Sequence, residues 1–119
     1  ITICYDLRFP ELYRRLAVAG AELFTIPSAF TVPTGRAHWH TLLRARAIEN
    51  LAWVVAPAQV GEHTSGRQTF GHSLIIDPWG AIVAECAGGP GVIFAQLDRN
   101  NAARRRQQFP ALAHRVLDR

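Results

Sequence analysis

The sequence predicts a layered α/β sandwich, and three observations carry that expectation. Short β-branched runs alternate with stretches of helical apolar spacing, in the order strand, helix, strand, helix, strand. A strand-rich stretch follows, so alternating units give way to antiparallel pairing. Hydrophobic residues make up 49% of 119, enough for one packed core and too many for a disordered chain.

The elements follow in chain order. Ile1-Thr2-Ile3 reads as the tail of a strand. Pro10 suits the first turn of a helix, where a missing N–H costs nothing. Leu12, Leu16 and Ala19 recur at helical spacing, Arg14 and Arg15 lie off that face, and Gly20 is the stop. Leu23–Ile26 is a short buried strand closed by Pro27, and the loop "SAFTVPTG" follows. A second helix is expected from about Arg36 to Leu51, with Trp39, Leu42, Leu43, Ala47 and Leu51 along one side. "WVVAPAQV" is the next strand and "GEHTSGRQTFG" a polar, glycine-bounded loop. "HSLIIDPWGAIVAEC" reads as a hairpin turning at Asp77-Pro78-Trp79-Gly80. "GVIFAQLD" is expected as a further strand, and the last twenty residues as a helix that becomes irregular.

Composition narrows the function classes. Cys4 and Cys86 form no framework of spacings, so both are expected as free thiols in a reducing compartment, and the cytoplasm is the expected location. No apolar run is long enough to span a bilayer, so no membrane partner is expected. The net charge of +4 raises nucleic acid as a partner, but the strongest cluster, Arg104-Arg105-Arg106, sits in a helical stretch where neighbours point in different directions. A solvated or interface-facing helix is the simpler reading, and no nucleic acid is expected. All thirteen basic residues are Arg, there is no Lys, and there is no Met, which makes the start look cut from something longer.

The chemistry centres on Cys4. A cysteine at the end of a strand and just before a helix stands where the positive end of the helix favours a thiolate and where the N–H of Tyr5 could serve an oxyanion. The glycines that flank a hydrolase nucleophile elbow are replaced by Thr2 and Asp6. On these residues alone a nucleophile and a small buried hydrophobe remain the two readings.

"CYDLRFPEL", "IPSAFTVPTGRAHWH", "LLRARAIEN", "VVAPAQVG", "GHSLIIDPWG" and "FPALAHRV" together resemble the amidase branch of the carbon–nitrogen hydrolase (nitrilase) superfamily, in the family's order. The resemblance implies an α-β-β-α four-layer sandwich, of which residues 1–119 would be the C-terminal half. It implies Cys4 as nucleophile, attacking a small linear amide of the α-keto acid ω-amide or deaminated-glutathione type, with a thioester intermediate. Nitrile and carbamoyl substrates belong to the same superfamily and stay open. It assigns a carboxylate grip to Arg8 and substrate contacts to Phe30 and Thr34, while the oxyanion role of the Tyr5 N–H rests on the strand–cysteine–turn order above. For Arg8 the bland reading is an ion pair with Asp6 or Glu11, and for Phe30 and Thr34 ordinary loop packing.

The family's general base, a Glu, and its oxyanion cation, a Lys, both precede the cysteine, and this chain supplies neither. The 119 residues alone are therefore expected to be inactive; a non-catalytic remnant or dimerisation module is the alternative. No cofactor and no metal are expected: His38 and His40 are two apart, so on a helix they diverge. His40 itself departs from the family's usual Glu after the Trp. His63 and His72 could in principle serve Cys4 as a base, although no spacing argues for it, and Cys86 reads as inert packing. The resemblance also implies a homodimer or higher homo-oligomer, built from the helix after the nucleophile and the helix after the loop, with which Tyr13 and the pair Arg46 and Glu49 are compatible.

Overall fold

The computed structural model describes residues 1–117. Its central sheet has four strands in the order β1 (Leu23–Thr25), β2 (Trp53–Ala56), β5 (Ser73–Ile76) and β6 (Ile82–Cys86). β1 and β2 are parallel, with Phe24 opposite Val54, and the rest of the sheet is antiparallel, with Val55 opposite Ile75 and Ile75 opposite Ala84. The helices α1 (Pro10–Val18) and α3 (His40–Asn50) cover one face, and α4 (Arg99–Gln108) comes against the other. No helix among the described residues is long and apolar enough to cross a membrane.

Strand period 2 explains the two cores. Val54, Ala56, Leu74 and Ile76 face one side and pack with Leu7, Tyr13, Phe24, Trp39 and Leu43. Trp53, Val55 and Ile75 alternate to the other side, where Ala102 of α4 and the extended segment carrying Ile93, Ala95 and Leu97 meet them. Burying each large side chain of this kind contributes about 1.5–3 kcal/mol before entropy is counted.

The expected elements largely form, with informative differences. Ile1–Ile3 makes no sheet ladder, but Thr2 N–H reaches the Thr25 carbonyl and Cys4 N–H the Pro27 carbonyl, both at 2.9 Å, so the segment runs beside β1. Pro10 opens α1, whose buried residues are Tyr13 and Ala17; Leu12 and Leu16 flank them, while Ala19 is exposed at the cap rather than on the apolar face. The second helix starts earlier than expected. A turn of α2 (Val32–Thr34) runs through a π turn (Gly35–Trp39) directly into α3. Gly35 is required there, since a Cβ would lie 2.2 Å from the Phe70 ring.

The polar stretch expected as a loop is instead a small hairpin, β3 (Val60–Glu62) with β4 (Gln68–Phe70), pairing Gly61 with Thr69. The hairpin at Asp77–Gly80 forms as expected: Asp77 N–H bonds the Ala81 carbonyl, and the Asp77 carboxylate accepts from Trp79 and Ala81 N–H. Gly80 at φ 87° is needed twice, because a Cβ there would also sit 2.5 Å from Ile48. Residues 91–98 are extended but join no ladder among the described residues, which corrects the expected strand "GVIFAQLD". The alternation that suggested a strand is real burial: Ile93, Ala95 and Leu97 face the second core, while Val92 and Phe94 are 78% and 86% exposed.

Tyr13 is fully buried and its hydroxyl shares a 2.7 Å hydrogen bond with the Thr2 hydroxyl. Burial pushes its phenol above the ordinary 10.0; the Thr2 bond and the Arg46 charge oppose this, and Asp6 adds to it. The folded state thus holds this proton more tightly, so its contribution is full below the unfolded value and is lost as pH rises from there through the folded one. Between about pH 9 and about pH 11, stability to urea should fall more steeply in the natural chain than in Tyr13→Phe. Parallel slopes would refute this role for Tyr13.

Candidate active site

Cys4 begins a 3₁₀ turn, Cys4–Arg8, and sits at φ 47°, a left-handed conformation that non-glycine residues rarely hold. The extended residue before it, Ile3, donates its N–H to the Asp6 carboxylate at 2.9 Å, and Asp6 N–H returns to the Ile3 carbonyl. With Cys4 N–H committed to Pro27, three bonds over-determine the sharp change of direction. Asp6 therefore does by hydrogen bonding what flanking glycines do elsewhere by small size. The N–H of Tyr5, in the first turn after the thiol, has no acceptor among the described residues. Such a donor beside a sulfur is free to meet a developing oxyanion.

The far end of the turn is held from α3. Arg46, 4% exposed, donates from Nε and Nη2 to the Leu7 carbonyl at 3.0 and 2.7 Å, and from Nη1 to Glu49 at 3.0 Å. Its guanidinium also lies 5.5 Å from the centre of the Tyr13 ring. The Arg46–Glu49 pair, expected as a candidate for a contact between copies, closes within one helix.

The half-buried Cys4 forms part of the wall of an open cavity of about 560 Å3, together with Ser28, Gln59 and Ser73. No carboxylate, imidazole, guanidinium or ammonium lines it among the described residues. A second cavity of about 550 Å3 adjoins it through Gln59 and Ser73, and His63, His72 and Cys86 line that one. His63 bonds the Thr69 hydroxyl at 3.0 Å and His72 the Glu85 carboxylate, and neither lines the cavity that Cys4 shares. Cys86 Sγ is turned to the Gly89 carbonyl at 3.6 Å.

The remaining expected site residues group differently. Arg8 has neither Asp6 nor Glu11 as an ion-pair partner; its guanidinium carbon lies 5.4 Å from the Tyr5 ring centre and 5.2 Å from that of Phe30, with Nη1 3.4 Å from His38 Nδ1. Phe30 is 6% exposed and packs at 4.9 Å on Trp39, so it is a floor for Arg8 more than a free surface. Thr34 Oγ1 bonds the Thr31 carbonyl and hydroxyl at 3.2 and 2.9 Å, closing its own turn. Arg8, Phe30 and Thr34 are not on the wall that Cys4 shares.

The strand–cysteine–turn order, the strained elbow and the cavity beside it can be set against known proteins. The carbon–nitrogen hydrolase family model matches residues 1–107. The chain belongs to the carbon–nitrogen hydrolase family. It is 52% identical over 118 residues to the deaminated glutathione amidase of Mus musculus, spanning 99% of this chain and 36% of the mouse protein. The crystal structure of the Caenorhabditis elegans NitFhit protein superposes with a TM-score of 0.95 at 51% identity, covering 98% of this chain and 28% of that one. A mutant of the nitrilase-superfamily amidase from Nesterenkonia sp. AN1, solved with the product of Michael addition of acrylamide at its active-site cysteine, gives a TM-score of 0.72 at 30% identity, covering 91% and 42%. The sandwich of this family is thus the α/β fold expected from the sequence, and the chain spans about a third of the mouse relative.

Sequence reasoning missed Arg46 as the residue that fastens the elbow, and the signal was a lone Arg on the apolar face of α3 beside Leu43 and Ala47. Replacing it with Met should cost about 2–4 kcal/mol in chemical denaturation, because the buried Leu7 carbonyl loses both donors. Glu49→Gln should cost under about 1 kcal/mol, since that carboxylate is 31% exposed. Equal losses would make the ion pair, not the carbonyl, the fastening.

Proposed function

We propose that this chain carries the nucleophile of a cysteine amidase that hydrolyses a small linear ω-amide bearing a carboxylate. The observation that carries the reading is Cys4 at φ 47° on the cavity wall, followed by the unpaired N–H of Tyr5. The thiolate of Cys4 adds to the amide carbonyl carbon, and Tyr5 N–H donates to the resulting oxyanion. Collapse expels the amine nitrogen, which takes a proton and leaves as ammonia, with the acyl group as a thioester on Sγ. Water then adds, the C–S bond breaks, and a carboxylate and the thiol are released.

Residues 1–119 are, in this reading, the C-terminal portion of the domain, and the base and the oxyanion cation come from outside them. The absence of Lys, a cavity wall without a titratable group other than Cys4 among the described residues, and the 36% coverage of the mouse relative support this. The substrate class is that in the name of the mouse relative, deaminated glutathione, and its carboxylate would extend toward Arg8. An arginine steadied by two aromatic rings, with Nη1 on His38 and no carboxylate partner among the described residues, has donors left for a carboxylate from the substrate. Phe30 and Thr34 act beneath it, as floor and turn. The working assembly in this reading is a homodimer in the cytoplasm, supported by exposed Val18 and Ile48 on the helix layer and by two free thiols.

In the intact protein, Cys4→Ala should lower amide hydrolysis by several orders of magnitude, and residues 1–119 alone should show no turnover. Cys4-dependent hydrolysis by the isolated 119 residues would overturn the assignment of the base and cation to other residues. Arg8→Lys in the intact protein should raise KM for carboxylate-bearing amides by about 30-fold, about 2 kcal/mol, and leave neutral amides little changed. An equal change for both substrate types would assign Arg8 to the scaffold.

A further inference from the structure

Three side chains outside the Cys4 cavity converge from separate elements. His40 is the first residue of α3, His72 lies between β4 and β5 at φ 59°, and Glu85 is on the edge strand β6. Glu85 Oε1 is 2.9 Å from His40 Nε2 and 2.6 Å from His72 Nδ1. We propose that His40, His72 and Glu85 form a binding site for a first-row divalent cation of the zinc class.

The donor set decides the class. Two imidazole nitrogens and one carboxylate oxygen suit zinc and its neighbours, whereas magnesium and calcium take oxygen shells. The three ligand atoms all lie within 4.8 Å of one another. Metal–ligand bonds of about 2.0–2.1 Å in a tetrahedron place ligand atoms about 3.3 Å apart. The Glu85 oxygen therefore has to recede from the two nitrogens by about 0.4–0.7 Å, and the two imidazole nitrogens, up to 4.8 Å apart, have to close toward that spacing to admit an ion.

The rings are already oriented by other contacts. Phe70 stacks on His72 at 4.1 Å and 19°, and meets His40 edge-on at 6.1 Å. The indole N–H of Trp39 donates to the His72 carbonyl at 2.7 Å, fixing the backbone that carries the second ligand. All three side chains keep 25–33% of their surface, so an ion has an entry path and water a fourth coordination position. His38, the other member of the H-x-H pair, turns instead to Arg8, so the divergence expected of that pair holds while His40 finds partners 32 and 45 residues away. Bound there, the ion joins the start of α3 to the edge strand and stabilises the junction by linkage.

The test is titration of the intact protein with Zn²⁺ by calorimetry, with Mg²⁺ as control. One saturable Zn²⁺ site per chain and a Tm that rises with Zn²⁺ are expected, with no response to Mg²⁺. Glu85→Gln, which keeps size and hydrogen bonding, and His40→Gln should each weaken Zn²⁺ binding by at least about tenfold. Co²⁺ in the natural protein should give visible bands without the thiolate-to-cobalt charge-transfer band, a readout that needs no variant to fold. Absence of saturable binding, unchanged affinity in Glu85→Gln, or a thiolate band placing the metal on Cys4 or Cys86 would each overturn the proposal.

Discussion

The two hydrogen bonds from Arg46 to the Leu7 carbonyl are the contact on which the site depends. A left-handed cysteine at the mouth of a short turn is strained, and strain persists only where neighbours over-determine it. Asp6 and Pro27 fix the entry to the turn, and Arg46 fixes its exit from a helix that is itself seated on the sheet. Remove the fastening at α3 and the elbow is a five-residue 3₁₀ turn, an element with little stability of its own.

The same chemistry recurs around α3. Arg14 donates to the Glu49 carbonyl, and Arg106 to the carbonyls of Asn50, Leu51 and Ala21, so two guanidinium groups gather the free acceptors at the helix C-terminus. Arg44 reaches the Gly80 carbonyl at the tip of the β5–β6 hairpin. The arginines of the 104–106 cluster part company: Arg104 pairs with Asp98, Arg105 lies over Trp79, and Arg106 enters the helix junction. A chain without lysine thus uses forked donors to satisfy backbone oxygens, a task the compact ammonium group performs less well.

What the sequence discloses is what its periodicities encode. The helical spacing of Leu12 and Leu16 and the Asp77–Gly80 turn each record a local environment and form as read, whereas the run before Pro27 buries Phe24 and Ile26 but leaves Leu23 41% exposed. In the β3–β4 hairpin, β3 is exposed, and in β4 Thr69 is buried with Phe70 half-buried beside it, so three-residue strands are too short for an alternation to mark them. Residues 91–98 alternate because they lie against a core, and alternation carries no information about whether a ladder partner exists. Cys4 is legible because strand, thiol and turn are contiguous. Arg46 is not, because its partner is a backbone carbonyl 39 residues away, and His40 with Glu85 fails for the same reason across 45 residues. Contacts of that kind are fixed by the assembled layers and leave no trace in local composition.

The π turn at Gly35–Trp39 bears on how this chain can vary in length. One residue advances a helix face by about 100°, so losing a single residue there would rotate everything upstream relative to α3. Gly35 would leave its place against Phe70, and Trp39 could not keep both the Phe30 ring and the His72 carbonyl. The 64–66 tip of the small hairpin is exposed throughout and lies beyond Arg67, whose guanidinium reaches back to the Ala29 carbonyl at 2.7 Å. Insertions and deletions in descendants of this sequence should accumulate at that tip and be purged from the junction, leaving a record of which segments the core measures.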